Sequence, residues 1–173
     1  ELLDELQMDA VNRYAKFDYP VQPTLFFEFH GTEAGVAEQA AMVKEIAAGY
    51  GAGDFRWASK AEERNRLWQA RHNAYYACKA MRPGSKGWAT DVCVPISRLA
   101  ECISETKADL RTSTLLAPIV GHVGDGNFHV TFLVDPEKPA ELAEAKQLNE
   151  RMVMRALALG GTVRVSQVQL VQP

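Results

Sequence analysis

Cysteine is scarce in this sequence, which has three residues of this type, Cys78, Cys93 and Cys102, among 173. An odd number of cysteines without metal-finger spacing argues against a disulfide framework and against a structural zinc finger. The pattern favours buried, reduced thiols. We therefore expect a protein of a reducing compartment that is not secreted.

Long apolar runs are also missing, since no stretch approaches the roughly 20 residues that a membrane-spanning helix needs. The first residues, ELLDELQMDAVNRY, are acidic and amphipathic, whereas a signal peptide would be basic and then strongly apolar. The sequence does not begin with Met. We interpret this as a start inside a longer protein.

The sequence has no large excess of charge of either sign, with 19 Lys and Arg against 22 Asp and Glu and a net charge of -3. This balance gives no general electrostatic reason to bind nucleic acid or an anionic membrane. No low-complexity linker or internal repeat divides the chain. With 47% hydrophobic residues, it is predicted to form one globular domain.

The apolar spacing alternates between helix-like and strand-like along the chain. Strands separated by helices, with one adjacent pair of strands, predict an α+β fold in which helices cover an antiparallel or mixed sheet, ferredoxin-like in character. Helices are predicted over 2–15, 32–51 (opened by Thr32), 59–80 (capped by Ser59), 96–112 and 139–159, and strands over 20–31, 54–58, 87–95, 115–135 (two strands) and 162–173.

The segment GHVGDGNFH, residues 121–129, concentrates chemistry in nine positions. Its centre, Gly124 to Asn127, has turn chemistry, which would place His122 and His129 on adjacent strands, where side chains on one face are about 5 Å apart. Two imidazoles there suit a divalent metal such as zinc or manganese. The alternative is a well-formed hairpin whose histidines are only hydrogen-bonded strand residues, and the pattern by itself leaves both open.

Together with TDVCVPISRL and RLWQARHNAYY, this segment resembles the C-terminal, substrate-side domain of the FAD-linked oxidases. That family includes cytochrome-type D-lactate dehydrogenase, a component of glycolate oxidase and D-2-hydroxyglutarate dehydrogenase. Order and spacing agree over residues 1–163. The resemblance implies oxidation of a small D-2-hydroxy acid, with hydride transfer to FAD held by a separate N-terminal domain or subunit.

The resemblance also implies roles for single residues. His122 and His129 match metal ligands, and a bound Zn or Mn ion would acidify the substrate hydroxyl. Arg71 matches a carboxylate-binding arginine, although a solvated charged helix face would also explain it. Lys86 is a second carboxylate candidate, with a surface turn lysine as the alternative. Asn127 is the cofactor-binding candidate, and with Asp125 it is also expected to shape the turn and orient the histidines.

The sequence departs from the family at its end. Relatives continue after GGTV with a Gly-Glu-His-Gly segment, whose glutamate completes the metal site and whose histidine takes the substrate proton. Here Val165 and Ser166 stand in those positions, so neither catalytic group is retained, and residues 164–173 form an atypical tail. We therefore expect the isolated chain to be inactive.

Two other functions remain open at this point. The chain could be a non-catalytic binding or assembly module of a flavoprotein complex. It could instead be a small metal-dependent hydrolase using His122, His129 and Asp125, although Asp125 lies in the turn. The resemblance places the protein in the bacterial cytoplasm or in mitochondria, and the sequence leaves homo-oligomerisation open.

Overall fold

The computed structural model describes residues 1–58 and 60–164. Within these ranges the predicted α+β class is confirmed, with six α-helices, one 3-10 turn and a seven-stranded sheet. The helices are α1 Glu5–Ala15, α2 Glu33–Gly49, α3 Ala61–His72, α4 Ala74–Ala80, α5 Ile96–Leu110 and α6 Pro139–Ala158. The strands are β1 Leu2–Leu3, β2 Thr24–Leu25, β3 Lys86–Ala89, β4 Val92–Cys93, β5 Ile119–Gly121, β6 Asn127–Val134 and β7 Thr162–Val163, and the 3-10 turn is Val123–Asp125.

The strand β6 is the centre of the sheet. The strand order is β2-β1-β5-β6-β4-β7, with β3 also paired to β6, and every pairing is antiparallel. The tight turn expected between two strands joins β5 to β6, and Gly126 ends it with a left-handed φ of 76°. This confirms the hairpin that was predicted from the GHVGDGNFH segment.

The residues of β6 alternate between two environments, because successive side chains of a strand point to opposite faces. Phe128, Val130, Phe132 and Val134 belong to the main hydrophobic core, which α5 and α6 complete. The other face carries Asn127, His129, Thr131 and Leu133. Thr131 and Leu133 are buried, whereas Asn127 and His129 remain half-buried. The end of this second face that carries Asn127 and His129 is therefore open for a site.

The first helix begins later than the apolar spacing predicts. Leu2 and Leu3 form β1, and Leu2 pairs with Leu25 on one side and Gly121 on the other. Asp4 then caps α1, because its carboxylate accepts a hydrogen bond of 2.9 Å from the Gln7 amide. The predicted helix over 2–15 is thus a strand followed by a shorter helix.

Two predicted elements are interrupted. The helix predicted over 59–80 breaks at Asn73, which makes no side-chain cap and separates α3 from α4. The strand predicted over 87–95 is divided into β3 and β4 at Thr90, where the Thr90 hydroxyl replaces a backbone group in the sheet. The predicted cap Ser59 and the end of the predicted strand 162–173, including Val165 and Ser166, lie outside the described residues.

The chain separates into two compact units. Of the described residues, the first contains 1–25 and 70–164, and it holds all seven described strands. The second, Phe26–Gln69, contains α2 and an aromatic group in which Trp57 stacks on Phe29 with ring centroids 6.2 Å apart. The predicted strand over 54–58 does not form. The strand predicted over 20–31 is reduced to Thr24–Leu25, and Pro20 and Pro23, which lack amide donors, account for the loss before Thr24.

Candidate functional site

The two histidines of the hairpin lie close together, as their spacing predicts. His122 follows β5, whereas His129 lies in β6 opposite Val120. Val120 and His122 are two residues apart and face the same side, which makes the two imidazoles diagonal neighbours. Their ring centroids are 5.6 Å apart and the rings are nearly perpendicular, at 86°. The site is built around this pair.

Arg71 reaches the same place from the end of α3. Its Nε donates a hydrogen bond of 3.0 Å to Oε2 of Glu1, and its Nη2 lies 3.3 Å from Nε2 of His122. The other carboxylate oxygen of Glu1 lies 2.8 Å from Nδ1 of His122. The structure therefore brings together the predicted carboxylate-binding arginine and the predicted histidine pair, with Glu1 bridging Arg71 and His122.

The partners of His122 define its tautomer. An ionised carboxylate can only accept a hydrogen bond and a guanidinium can only donate one. Nδ1 of His122 therefore carries the proton that is donated to Glu1, and the lone pair of Nε2 faces Arg71. Burial raises the pKa of the Glu1 carboxyl, but the opposing effects, led by the hydrogen bond and the charge of Arg71, are larger, so its pKa lies below the ordinary value. Glu1 is thus ionised at neutral pH.

His129 has the same tautomer for a different reason. Its Nδ1 lies 2.8 Å from the backbone carbonyl oxygen of Thr90, which can only accept. The Asp91 carboxylate is farther from Nδ1, at 3.6 Å. Among the residues that the structure describes, Nε2 of His129 has no hydrogen-bond partner. This nitrogen is available to a ligand.

Asn127 is anchored within the chain. Its Nδ2 donates to Oδ1 of Asp91 at 2.7 Å and to the carbonyl oxygen of Val92 at 2.9 Å, so both amide hydrogens are used. The Asn127 backbone amide donates to the carbonyl oxygen of His122 at 3.3 Å. The residue links β4 to the hairpin that carries both histidines. The side-chain oxygen Oδ1 of Asn127 makes no hydrogen bond with a described residue.

Lys86 lies away from this group. It pairs with Val134 at the far end of β6, five residues from His129. At about 3.3 Å per residue, this separation is roughly 16 Å along the strand. The structure therefore places Lys86 on the sheet but does not bring it to Arg71 or to the histidines.

The described residues supply an incomplete set of metal ligands. Protein zinc sites use three or four side-chain ligands, commonly His, Cys, Asp or Glu. Across residues 1–58 and 60–164, no group of three or more such side chains is placed to hold a metal ion. One of the two imidazoles also has its Nε2 facing Arg71. Asp125, the third residue of the hydrolase alternative, completes no such group.

The cysteines follow the prediction of buried thiols in part. Cys78 and Cys102 are buried, and burial raises the pKa of the Cys78 thiol to about 12. Cys93 is half-buried in β4, and its thiol donates to the carbonyl oxygen of Asp125 at 3.4 Å. All three are free.

Sequence reasoning missed Glu1, Thr90 and Asp91 as members of the site. Glu1 precedes Leu2, and the pairing of Leu2 with Gly121 places Glu1 opposite His122. That register joins segments about 120 residues apart and has no local signal. Thr90 and Asp91 lie inside the segment TDVCVP, where a polar pair inside an apolar strand was the available signal.

Comparison with known proteins identifies relatives across almost the whole chain. The family described as "FAD linked oxidases, C-terminal domain" matches residues 1–164. A probable mitochondrial D-lactate dehydrogenase of Danio rerio is 49% identical over 162 residues, which are 94% of this chain and 33% of that protein. The mitochondrial D-lactate dehydrogenase [cytochrome] of Arabidopsis thaliana is 45% identical over 162 residues, 94% of this chain and 29% of that protein.

A more distant relative is the glycolate oxidase subunit GlcD of Escherichia coli (strain K12), 30% identical over 165 residues, 94% of this chain and 33% of that protein. The chain therefore spans about a third of the length of these relatives. Among the described residues, no helix combines the length and apolar character needed to cross a bilayer.

Proposed function

Because this chain belongs to the family of FAD-linked oxidase C-terminal domains, we propose that it is the substrate-side domain of a flavoprotein that oxidises a small D-2-hydroxy acid to the 2-oxo acid. FAD, bound mainly by a part of the protein outside this chain, would accept the hydride. The observation that carries the proposal is the meeting of Arg71 with His122 and His129 on the open end of one sheet face.

In this proposal Arg71 binds the substrate carboxylate. Its guanidinium is held at Nε by Glu1, and its side chain is 19% exposed, so the group is fixed yet reachable. Nη1 makes no hydrogen bond with a described residue, and Nη2 lies beside His122. A carboxylate could therefore bind the two terminal nitrogens side by side, the arrangement that planar guanidinium groups favour.

The histidines lie where the hydroxyl end of such a substrate would reach. Both rings carry their proton on Nδ1; Nε2 of His129 is open to a ligand, whereas Nε2 of His122 faces Nη2 of Arg71. If a divalent cation binds here, it would use these two nitrogens and polarise the hydroxyl, but it needs further ligands from outside the described residues. We assign no step to a metal for this reason.

The remaining predicted roles belong to the same proposal. The amide hydrogens of Asn127 bind Asp91 and Val92. We therefore propose that Asn127 contacts the cofactor-bearing part of the protein through its Oδ1, as a hydrogen-bond acceptor. We propose a bacterial cytoplasmic or mitochondrial location, in line with the names and organisms of the relatives. Lys86 would contact substrate only if the site extends along β6.

Binding of D-lactate to the purified 173-residue chain tests the proposal. We expect weak, saturable chemical-shift changes at Arg71 and the two histidines, and at least a tenfold loss of affinity in Arg71→Met, because a charged hydrogen bond contributes about 1.5–3 kcal/mol. Arg64→Met, a change of the same kind on the exposed part of α3, should leave binding unchanged.

Lactamide, which lacks the carboxylate, is the matched ligand control and should not bind. Equal binding of lactate to the parent chain and to Arg71→Met would refute the assignment. Anaerobic incubation of the chain with FAD, Mn²⁺ or Zn²⁺ and D-lactate should not bleach the flavin, because the chain has neither the glutamate nor the histidine of the Gly-Glu-His-Gly segment. Appreciable flavin reduction would contradict the expected inactivity.

A further inference from the structure

The connection between β3 and β4 contains an irregular hydrogen-bond pattern. Ala89 pairs with Thr131 and Val92 pairs with Phe128, so Thr90 stands opposite Val130. In a regular antiparallel pair of this kind, the two residues exchange both of their N–H to C=O bonds. Here one bond is regular, because the Thr90 amide donates to the Val130 carbonyl at 2.9 Å.

The second bond has a different acceptor. The Val130 amide donates to the hydroxyl oxygen of Thr90 at 2.9 Å instead of to the Thr90 carbonyl. That carbonyl is thereby released from the ladder, and its oxygen accepts the Nδ1 proton of His129 at 2.8 Å. One side chain thus substitutes for its own backbone group, and the displaced backbone group holds an imidazole of the site.

Burial makes this exchange stringent. Thr90 is 3% exposed and Val130 is fully buried, so an amide or carbonyl left unpaired there would be costly. If the hydroxyl were missing, the Thr90 carbonyl would be the nearby acceptor for the Val130 amide. It could then no longer serve His129 in the same way.

We propose that Thr90 is a positioning residue, whose hydroxyl frees its own carbonyl to hold His129 with Nδ1 protonated and Nε2 presented to the ligand. This exchange of hydrogen-bond acceptors sets the tautomer of the imidazole and requires no bound ligand. Only the identity of the ligand that Nε2 of His129 contacts rests on the proposed function.

The test is the tautomer of His129 in the ¹⁵N-labelled 173-residue chain, read from long-range ¹H–¹⁵N correlations at a pH where the ring is neutral. Protonated and bare ring nitrogens have well-separated shifts. We expect Nδ1 to be protonated in the parent chain. In Thr90→Val, which keeps the shape and removes the hydroxyl, we expect this preference to be lost and the two nitrogen shifts to converge, whereas Thr90→Ser should preserve it.

Thr106→Val is the matched control. Thr106 is equally buried, at 3% exposure, and its hydroxyl accepts from Nη1 of Arg155, within the contact between α5 and α6. This change should lower stability without moving the His129 tautomer. If Thr90 had only a structural role, Thr90→Val would likewise lower stability and leave the His129 tautomer unchanged.

Two outcomes would overturn the proposal: a proton on Nε2 of His129 in the parent chain, or an unchanged tautomer in a folded Thr90→Val variant. The first does not require any variant to fold. If the chain fails to bind D-lactate while the tautomer responds as described, the proposed function falls and the role of Thr90 stands.

Discussion

The Nη2 of Arg71 lies 3.3 Å from Nε2 of His122, so the nitrogen that would bind a metal ion faces a fixed cation. A guanidinium in this position disfavours a second positive charge by Coulomb repulsion and occupies the lone pair. In this position Arg71 therefore favours the binding of a carboxylate and opposes the binding of a metal ion at His122. A bound substrate that moved Arg71 away from His122 would remove this opposition.

Zinc titration of Arg71→Met checks this competition. We expect the parent chain to bind Zn²⁺ weakly, and Arg71→Met to bind it roughly tenfold more tightly, because the substitution removes a unit charge a few ångströms from the ligand nitrogen. His129→Ala in the Arg71→Met background should abolish the gain. An unchanged or weaker affinity after Arg71→Met, measured by calorimetry, would contradict the competition.

The two inner glycines of the hairpin turn should respond very differently to alanine. Gly126 has a φ of 76°, and a Cβ there would lie 2.1 Å from the Val94 carbonyl oxygen. Gly124 has no heavy atom within 4 Å of such a Cβ. Urea unfolding should show Gly126→Ala destabilised by at least about 2 kcal/mol, the strain expected of a non-glycine residue in this conformation plus the clash, and Gly124→Ala nearly neutral. Similar costs at both positions would show that the turn relaxes.

Asn127→Ala should weaken the hydrogen bonding between β4 and the β5–β6 hairpin. The substitution removes the two donors to Asp91 and Val92, and we expect a loss of about 1–3 kcal/mol of unfolding free energy. Because Asp91 would then be less restrained beside His129, the His129 resonances should also shift. Asn65→Ala, at an exposed position of α3, is the control and should change neither quantity.

The Glu141 carboxyl is expected to make the stability of the fold sensitive to acid. Bidentate hydrogen bonds from Arg82, at 2.7 and 2.9 Å, and the Asp135 amide lower the pKa of its carboxyl to about 2, against 4.5 for an unperturbed glutamate. A lowered folded-state pKa stabilises the fold above pH 4.5, and the contribution is lost as pH falls toward 2.

Urea unfolding at neutral pH and near pH 2 measures this contribution. Glu141→Gln should be less stable than the parent chain at neutral pH, and the two should converge in acid. Glu137→Gln, an exposed neighbour, should follow the parent at both values. A constant difference between Glu141→Gln and the parent across pH would assign the effect to packing instead of charge.

Local signals predicted the parts of the structure that depend on local chemistry. The turn residues of GHVGDGNFH and the apolar runs beside them were sufficient for the β5–β6 hairpin and for the proximity of His122 and His129. Thr32 was expected to open the second helix, and its hydroxyl accepts a bond of 3.2 Å from the Gly35 amide. The helix α5 has strong amphipathic periodicity, and prolines stand at the starts of both α5 and α6.

The missed features depend on contacts between distant segments. The apolar spacing of Leu2 and Leu3 fits a helix as well as a strand, and only pairing with β5 decides between them. Glu1 enters the site through that same pairing. The exchange at Thr90 needs the register of β3 and β4 on β6, and a threonine in a predicted strand gives no sign of it.

The alternation along β6 also bears on how this domain can change over evolution or by design. Its core-facing residues, such as Phe128 and Val130, and its site-facing residues, Asn127 and His129, occupy the same strand but meet different neighbours. Substitutions of the first kind change the packing of the core, whereas those of the second change the hydrogen bonds that hold the candidate site. One strand can therefore accumulate stabilising changes at its core-facing positions while Asn127 and His129 are kept, and a library that varies only the core-facing positions would separate stability from the candidate site.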